Sequence, residues 1–106
     1  MKEEIVNGIE LVNRMKANNI PINNVIKVSK KTKDNEEIFI CNIRYKDGEV
    51  EWKNNSFRVS MLLNDDYIFT IIDKEPIVKA MQQVGISGTY ISHMMRYIDS
   101  LVYNIE

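Results

Sequence analysis

The dipeptide Asp47-Gly48, set between two runs of alternating polarity, constrains this chain more than any other feature. A two-residue type I′ turn needs positive φ at both positions, which Asp followed by Gly supplies at low steric cost. Centring the turn there predicts a hairpin of strands 37–46 and 49–54. Lys46 then faces Glu49, Tyr45 faces Val50, Arg44 faces Glu51 and Ile43 faces Trp52. Directly opposed side chains share a face, so Phe39, Cys41, Ile43, Tyr45, Val50 and Trp52 form one apolar surface. Arg44, Lys46, Glu49, Glu51 and Lys53 fall on the other.

Around the hairpin the pattern predicts a single α+β domain over residues 1–106, a length that buries a core able to fold alone. Residues 3–18 read as an N-terminal helix: Ile5, Ile9, Val12 and Met15 keep helical spacing, and Glu10 and Arg14 pair at i,i+4. Asn18-Asn19 before Ile20-Pro21 ends it. Residues 25–31 and 67–72 read as strands. Residues 57–63 favour another strand through Phe57, Val59, Met61 and Leu63, although Ser56 as a cap would suit a short helix. The expectation is an antiparallel β-meander of three to five strands.

Two helices are predicted to finish the chain. The first starts at an Asp73 cap with Pro76 in its opening turn and stops at Gly85. The second is capped by Ser87 and runs to about residue 105. Along it Ile91, Met95, Ile98, Val102 and Ile105 step as a heptad seam, with Tyr90, Met94, Tyr97 and Leu101 as a stripe beside it. The seam predicts a homodimer through the C-terminal helix.

Several chemistries are hard to assemble from these residues. His93 is the sole histidine and Cys41 the sole cysteine, too few for a zinc site of nitrogen and sulfur ligands within one chain. Cys41 falls on the apolar hairpin face, where a buried, inert thiol is expected. The four glycines stand apart at 8, 48, 85 and 88, so no glycine-rich phosphate loop is present. Glu51-Trp52-Lys53 with Asp34 upstream resembles the acid and E-x-K pattern of PD-(D/E)xK nucleases. The hairpin register opposes that resemblance: Glu51 faces Arg44, ten residues past Asp34, which separates the acids by about 30 Å. No metal, no cofactor and no enzyme activity are expected.

Localisation and origin follow from composition. No apolar run approaches the ~18 residues of a membrane span, and the start MKEEIVNGIE is acidic and amphipathic rather than signal-like. A lone cysteine suits a reducing compartment, so the expectation is cytoplasmic. Sixteen Ile, twelve Asn and ten Lys against two Ala match an AT-rich bacterial, phage or plasmid coding bias. The formal net charge of −1 excludes a strongly basic coat protein but not a binder whose cations share one face.

Residues 77–96, IVKAMQQVGISGTYISHMMR, carry the one functional signal. Ala80, Val84, Ile86, Ile91 and Met94 occupy the fourth, eighth, tenth, fifteenth and eighteenth places, with Gly85 at the ninth. In this spacing the segment resembles the helix-turn-helix superfamily of DNA-binding proteins. It departs from the pattern at Met81, where close packing favours a small residue, and at Gly88 early in the second helix. The resemblance implies that the second helix enters the major groove and presents Ser87, Thr89, Ser92, His93 and Arg96 to double-stranded DNA. Lys79 adds local positive charge, and no acid occurs between Pro76 and Asp99. Lys30 and Lys31, in the basic run Lys27, Lys30, Lys31 and Lys33, are candidate phosphate contacts. The expected function is a small DNA-binding protein of a bacterial mobile element, a regulator or DNA-processing accessory factor. The alternative is a protein-binding inhibitor or adaptor, such as a phage anti-defence protein.

Overall fold

Both turn residues adopt the left-handed conformation that the hairpin requires, Asp47 at φ 53° and Gly48 at φ 80°. A computed structural model describes residues 2–52 and 56–103 of the chain. Around that turn, β3 (Glu37–Lys46) pairs with β4 (Glu49–Glu51) through Arg44–Glu51, Tyr45–Val50 and Lys46–Glu49. β4 ends at Glu51, so the expected Ile43–Trp52 pair is not formed. Trp52 instead sets its ring edge-on to Phe57, centroids 5.1 Å apart. Residues 53–54 of the expected strand lie outside the described residues.

The other strands are β1 (Lys2–Val6), β2 (Asn24–Lys31) and β5 (Tyr67–Asp73), and all five form one antiparallel sheet in the order β1-β5-β2-β3-β4. This corrects the simple meander, because β5 inserts between the first two strands. It also corrects the N-terminal helix. Residues 2–6 are an edge strand, and α1 spans Gly8–Lys16. Asn7 makes the boundary: its side-chain oxygen accepts from the Glu10 amide at 2.8 Å, as an N-cap does. The apolar spacing misled because Ile5 and Ile9 remain 67% and 59% exposed, whereas Val6 and Leu11 face the core; of the expected stripe, Met15 does pack against it. The expected Glu10–Arg14 pair forms at 3.1 Å, and Arg14 also bonds Glu4, tying helix to edge strand.

One sheet face carries the main core: Val6, Ile26, Val28, Cys41, Ile43, Phe69 and Ile71, covered by Leu11 of α1 and by Phe57. Between β4 and β5, Val59–Leu63 form a 3₁₀ helix, correcting the favoured strand. Gly8 abuts its backbone so closely that an added Cβ would lie 1.8 Å from the Leu62 carbonyl oxygen. Within β3 the expected apolar face breaks at a bulge. Val28 faces Cys41 and Ser29 faces Phe39, leaving Ile40 as an extra residue, and Phe39 turns out to solvent. The opposite sheet face buries Val25 and Ile72 against Tyr103. No helix among the described residues is long and apolar enough to cross a membrane.

Candidate nucleic-acid interface

Two helices leave the end of β5 and are shaped by their caps. α2 spans Glu75–Gln83, with Pro76 in its first turn. The Asp73 carboxylate accepts from the Glu75 amide at 2.9 Å, but Asp73 still belongs to β5 and Lys74 holds the cap position. Gly85, at φ 82°, turns the chain: its amide bonds the Gln82 carbonyl, and the Ile86 amide bonds that of Met81. That pair of reversed bonds is a Schellman closure, which glycine favours because it lacks a Cβ. α3 then spans Gly88–Leu101, its Ser87 cap accepting from the Tyr90 amide at 3.3 Å. It stops four residues short of the expected end, and Ile105 lies outside the described residues.

The helices pack through Val78, Ile91 and Met95, with Ile77, Met81, Ile86 and Ile98 at the margin. Two residues that the helix-turn-helix spacing assigns to packing, Ala80 and Val84, are exposed instead, whereas Ile91 is buried and Met94 half-buried. The dimer seam is likewise reassigned: Ile91, Met95 and Ile98 are taken up by the chain's own α2. Its next residue, Val102, lies exposed.

A buried charge cluster fixes α3 to the sheet. Lys74, at 2% exposure, ion-pairs with Asp99. Arg44 of β3 reaches the other Asp99 oxygen at 2.8 Å and Glu51 at 3.2 Å. The Lys74 ammonium also lies 5.7 Å from the Tyr103 ring centroid. Burial holds the Lys74 pKa below its ordinary 10.5, against the opposing influence of Asp99. Burial likewise raises the Tyr103 hydroxyl, with Asp99 and Glu3 adding to the effect. Asn42 donates to the Tyr103 carbonyl at 3.1 Å, a second tether. Nearby, the buried Asn24 side chain donates to the Pro21 and Tyr45 carbonyls and accepts from the Tyr45 amide, holding the connection before β2 to the hairpin.

Held this way, α3 turns Thr89, Ser92, His93 and Arg96 outward together. They occupy i, i+3, i+4 and i+7, one helical face, and all four are exposed, as is Ser87 at the cap. Lys79 is exposed on α2. Beside this face an open groove of about 800 Å³ runs to the hairpin tip, bounded by Ser92 and Arg96 on one side and Lys46 and Asp47 on the other. Lys30 and Lys31 are not part of this grouping. They sit at the opposite end of β2, about 20 Å from Asn24 at the groove. Lys30 lies over the Tyr67 ring at 5.8 Å, and the neighbouring Lys27 pairs with Glu37 at 3.6 Å.

The cluster Lys74–Asp99–Arg44 escaped sequence reasoning, although one sign of it was available. Asp99 follows Ile91 and Met95 at steps of four, an acid on a buried stripe, which calls for a cation opposite. Among the described residues no group of three or more His, Cys, Asp or Glu is arranged to hold a metal ion. Cys41 is buried, and burial pushes its thiol up to about 11. Glu51 is engaged by Arg44, as the hairpin register requires. Compared with protein-family models, curated proteins and solved structures, the chain matches none.

Proposed function

We propose that this is a small DNA-binding protein of a bacterial mobile element, a regulator or a DNA-processing accessory factor, that lays the outer face of α3 on double-stranded DNA. One observation carries the reading: Thr89, Ser92, His93 and Arg96 share a single open face on a chain segment, residues 76–98, that contains no acid. Asp99 closes that segment but points inward to Lys74 and Arg44, so it does not repel phosphate. Hydroxyls, an imidazole and a guanidinium are the groups that meet phosphates and base edges. The amide-rich start of α3 adds a favourable field for an anion. The reading rests on this face rather than on the helix-turn-helix packing. In it the protein binds and does not catalyse.

Fluorescence anisotropy with a labelled short duplex tests the proposal. Binding should weaken steeply as salt rises, because phosphate contacts release counterions. Arg96→Ala and His93→Ala should weaken it with unchanged circular dichroism, and an Arg96 contact to guanine is worth ~1–3 kcal/mol of base discrimination. Lys30→Ala and Lys31→Ala, remote from α3, should lower affinity slightly and equally for every sequence. Absence of duplex binding at low salt would refute this reading, and absence of binding to DNA in any form would transfer the case to the protein-binding inhibitor.

A further inference from the structure

Beside the polar face of α3 runs a second exposed surface. Tyr90 and Tyr97 are 56% and 62% exposed, and His93 lies between them at i+3 of an i, i+3, i+7 series. The three rings therefore stand on one side of the helix over about 10.5 Å of its length. They are not core residues: Ile91, Met95 and Ile98 occupy the side packed on α2. We infer that this side takes single-stranded nucleic acid, its bases stacked on Tyr90, His93 and Tyr97 and a phosphate met by Arg96. The inference rests on the reading of α3 as a nucleic-acid surface and adds the substrate class, DNA with an unpaired stretch.

Two arguments select this occupant. The first is charge: the segment from Pro76 to Tyr97 contains Lys79, His93 and Arg96 and no acid, so it suits a polyanion. The second is area. Extended by Leu101, which is also exposed, the stripe follows a 14-residue helix. From Tyr90 to Leu101 the strip is about 16 Å long and one side chain wide and offers less than roughly 200 Å², far below the ~800 Å² per partner of a stable protein interface. A single strand needs no broad surface, because each unpaired base offers its own π-face to one ring. Duplex DNA keeps those faces stacked inside, so the tyrosines discriminate between the two forms.

Three labelled DNAs read the inference: a blunt duplex, the same duplex with an oligothymidine overhang, and oligothymidine alone. Each is titrated against the native chain, a Tyr90→Ala/Tyr97→Ala variant and a Tyr90→Phe/Tyr97→Phe variant, with thermal melts as the check on folding. The overhang should bind more tightly than the blunt duplex. The alanine variant should lose that gain, with each ring contributing from about 5-fold to about 150-fold, while the phenylalanine variant retains it. Blunt-duplex affinity should be nearly the same in all three proteins. If the overhang adds nothing, or the alanine variant keeps the gain, the inference fails and the duplex reading stands. If oligothymidine binds through the tyrosines and the blunt duplex does not bind, the inference stands and the duplex reading fails. If no DNA binds, both fall.

Discussion

Replacing Asp99 with Asn removes one negative charge from a site where Lys74 is 2% exposed and Arg44 half-buried. Arg44 keeps Glu51 at 3.2 Å, but Lys74 loses its ion-pair partner and retains the Tyr103 ring face. Breaking a buried pair from one side costs about 3–5 kcal/mol, because the surviving charge stays desolvated. Against a total stability of about 5–15 kcal/mol, that is about a fifth of the whole or more. With a urea slope of about 2 kcal/mol/M, the unfolding midpoint should fall by about 2 M. The pH dependence has a definite sign. Lys74 has a folded pKa below 10.5, so the unfolded chain takes the proton first as pH falls, and the burial penalty is complete below the folded value. The Asp99→Asn deficit should therefore shrink as pH rises through the folded value and past 10.5, above which Lys74 is neutral in both states. Removing both charges, as Lys74→Met with Asp99→Leu, should recover most of the loss. Equilibrium urea unfolding measures all three proteins. A single variant within ~0.5 kcal/mol of the native chain, the scatter of an ordinary surface substitution, would refute the argument. So would a double variant no better than the single.

Gly8→Ala should lower the melting temperature by at least about 10 °C, because a Cβ 1.8 Å from the Leu62 carbonyl forces α1 off the 3₁₀ helix. A melt unchanged within error would show that the two backbones are not in that contact. Cys41 should react with a thiol reagent at pH 8 about 100-fold more slowly in the folded chain than in urea, its thiol being raised from 9.0 to about 11. Its stabilising contribution is full below pH 9 and is lost as pH rises toward 11, since only the unfolded thiol ionises in that window. Replacing Cys41 with Ala should flatten that part of the stability curve. Light scattering at micromolar concentration should return a mass near 12.4 kDa, because Ile91, Met95 and Ile98 are already packed on α2. A mass near twice that would mean that another surface pairs.

What the amino-acid sequence determined by itself is the set of features whose chemistry is local. The Asp47-Gly48 turn, the Gly85 stop and the Ser87 cap each depend on positive φ or on a hydrogen bond a few residues away. The shared face of Thr89, Ser92, His93 and Arg96 follows from helical spacing alone. Even the start of α1 was legible, since Asn7 followed three residues later by Glu10 is a capping signature, yet the apolar spacing of Ile5 and Ile9 outweighed it. Tertiary structure alone decided the rest. Residues 2–6 become a strand because β5, more than sixty residues away, offers them its edge. No local propensity contains that partner. The bulge at Ile40 turns Phe39 outward through a register set by β2. Which side of α3 faces solvent is decided the same way: Asp99 finds Lys74 and Arg44 from two other elements, and one desolvated carboxylate between two cations admits few orientations of the helix that carries it.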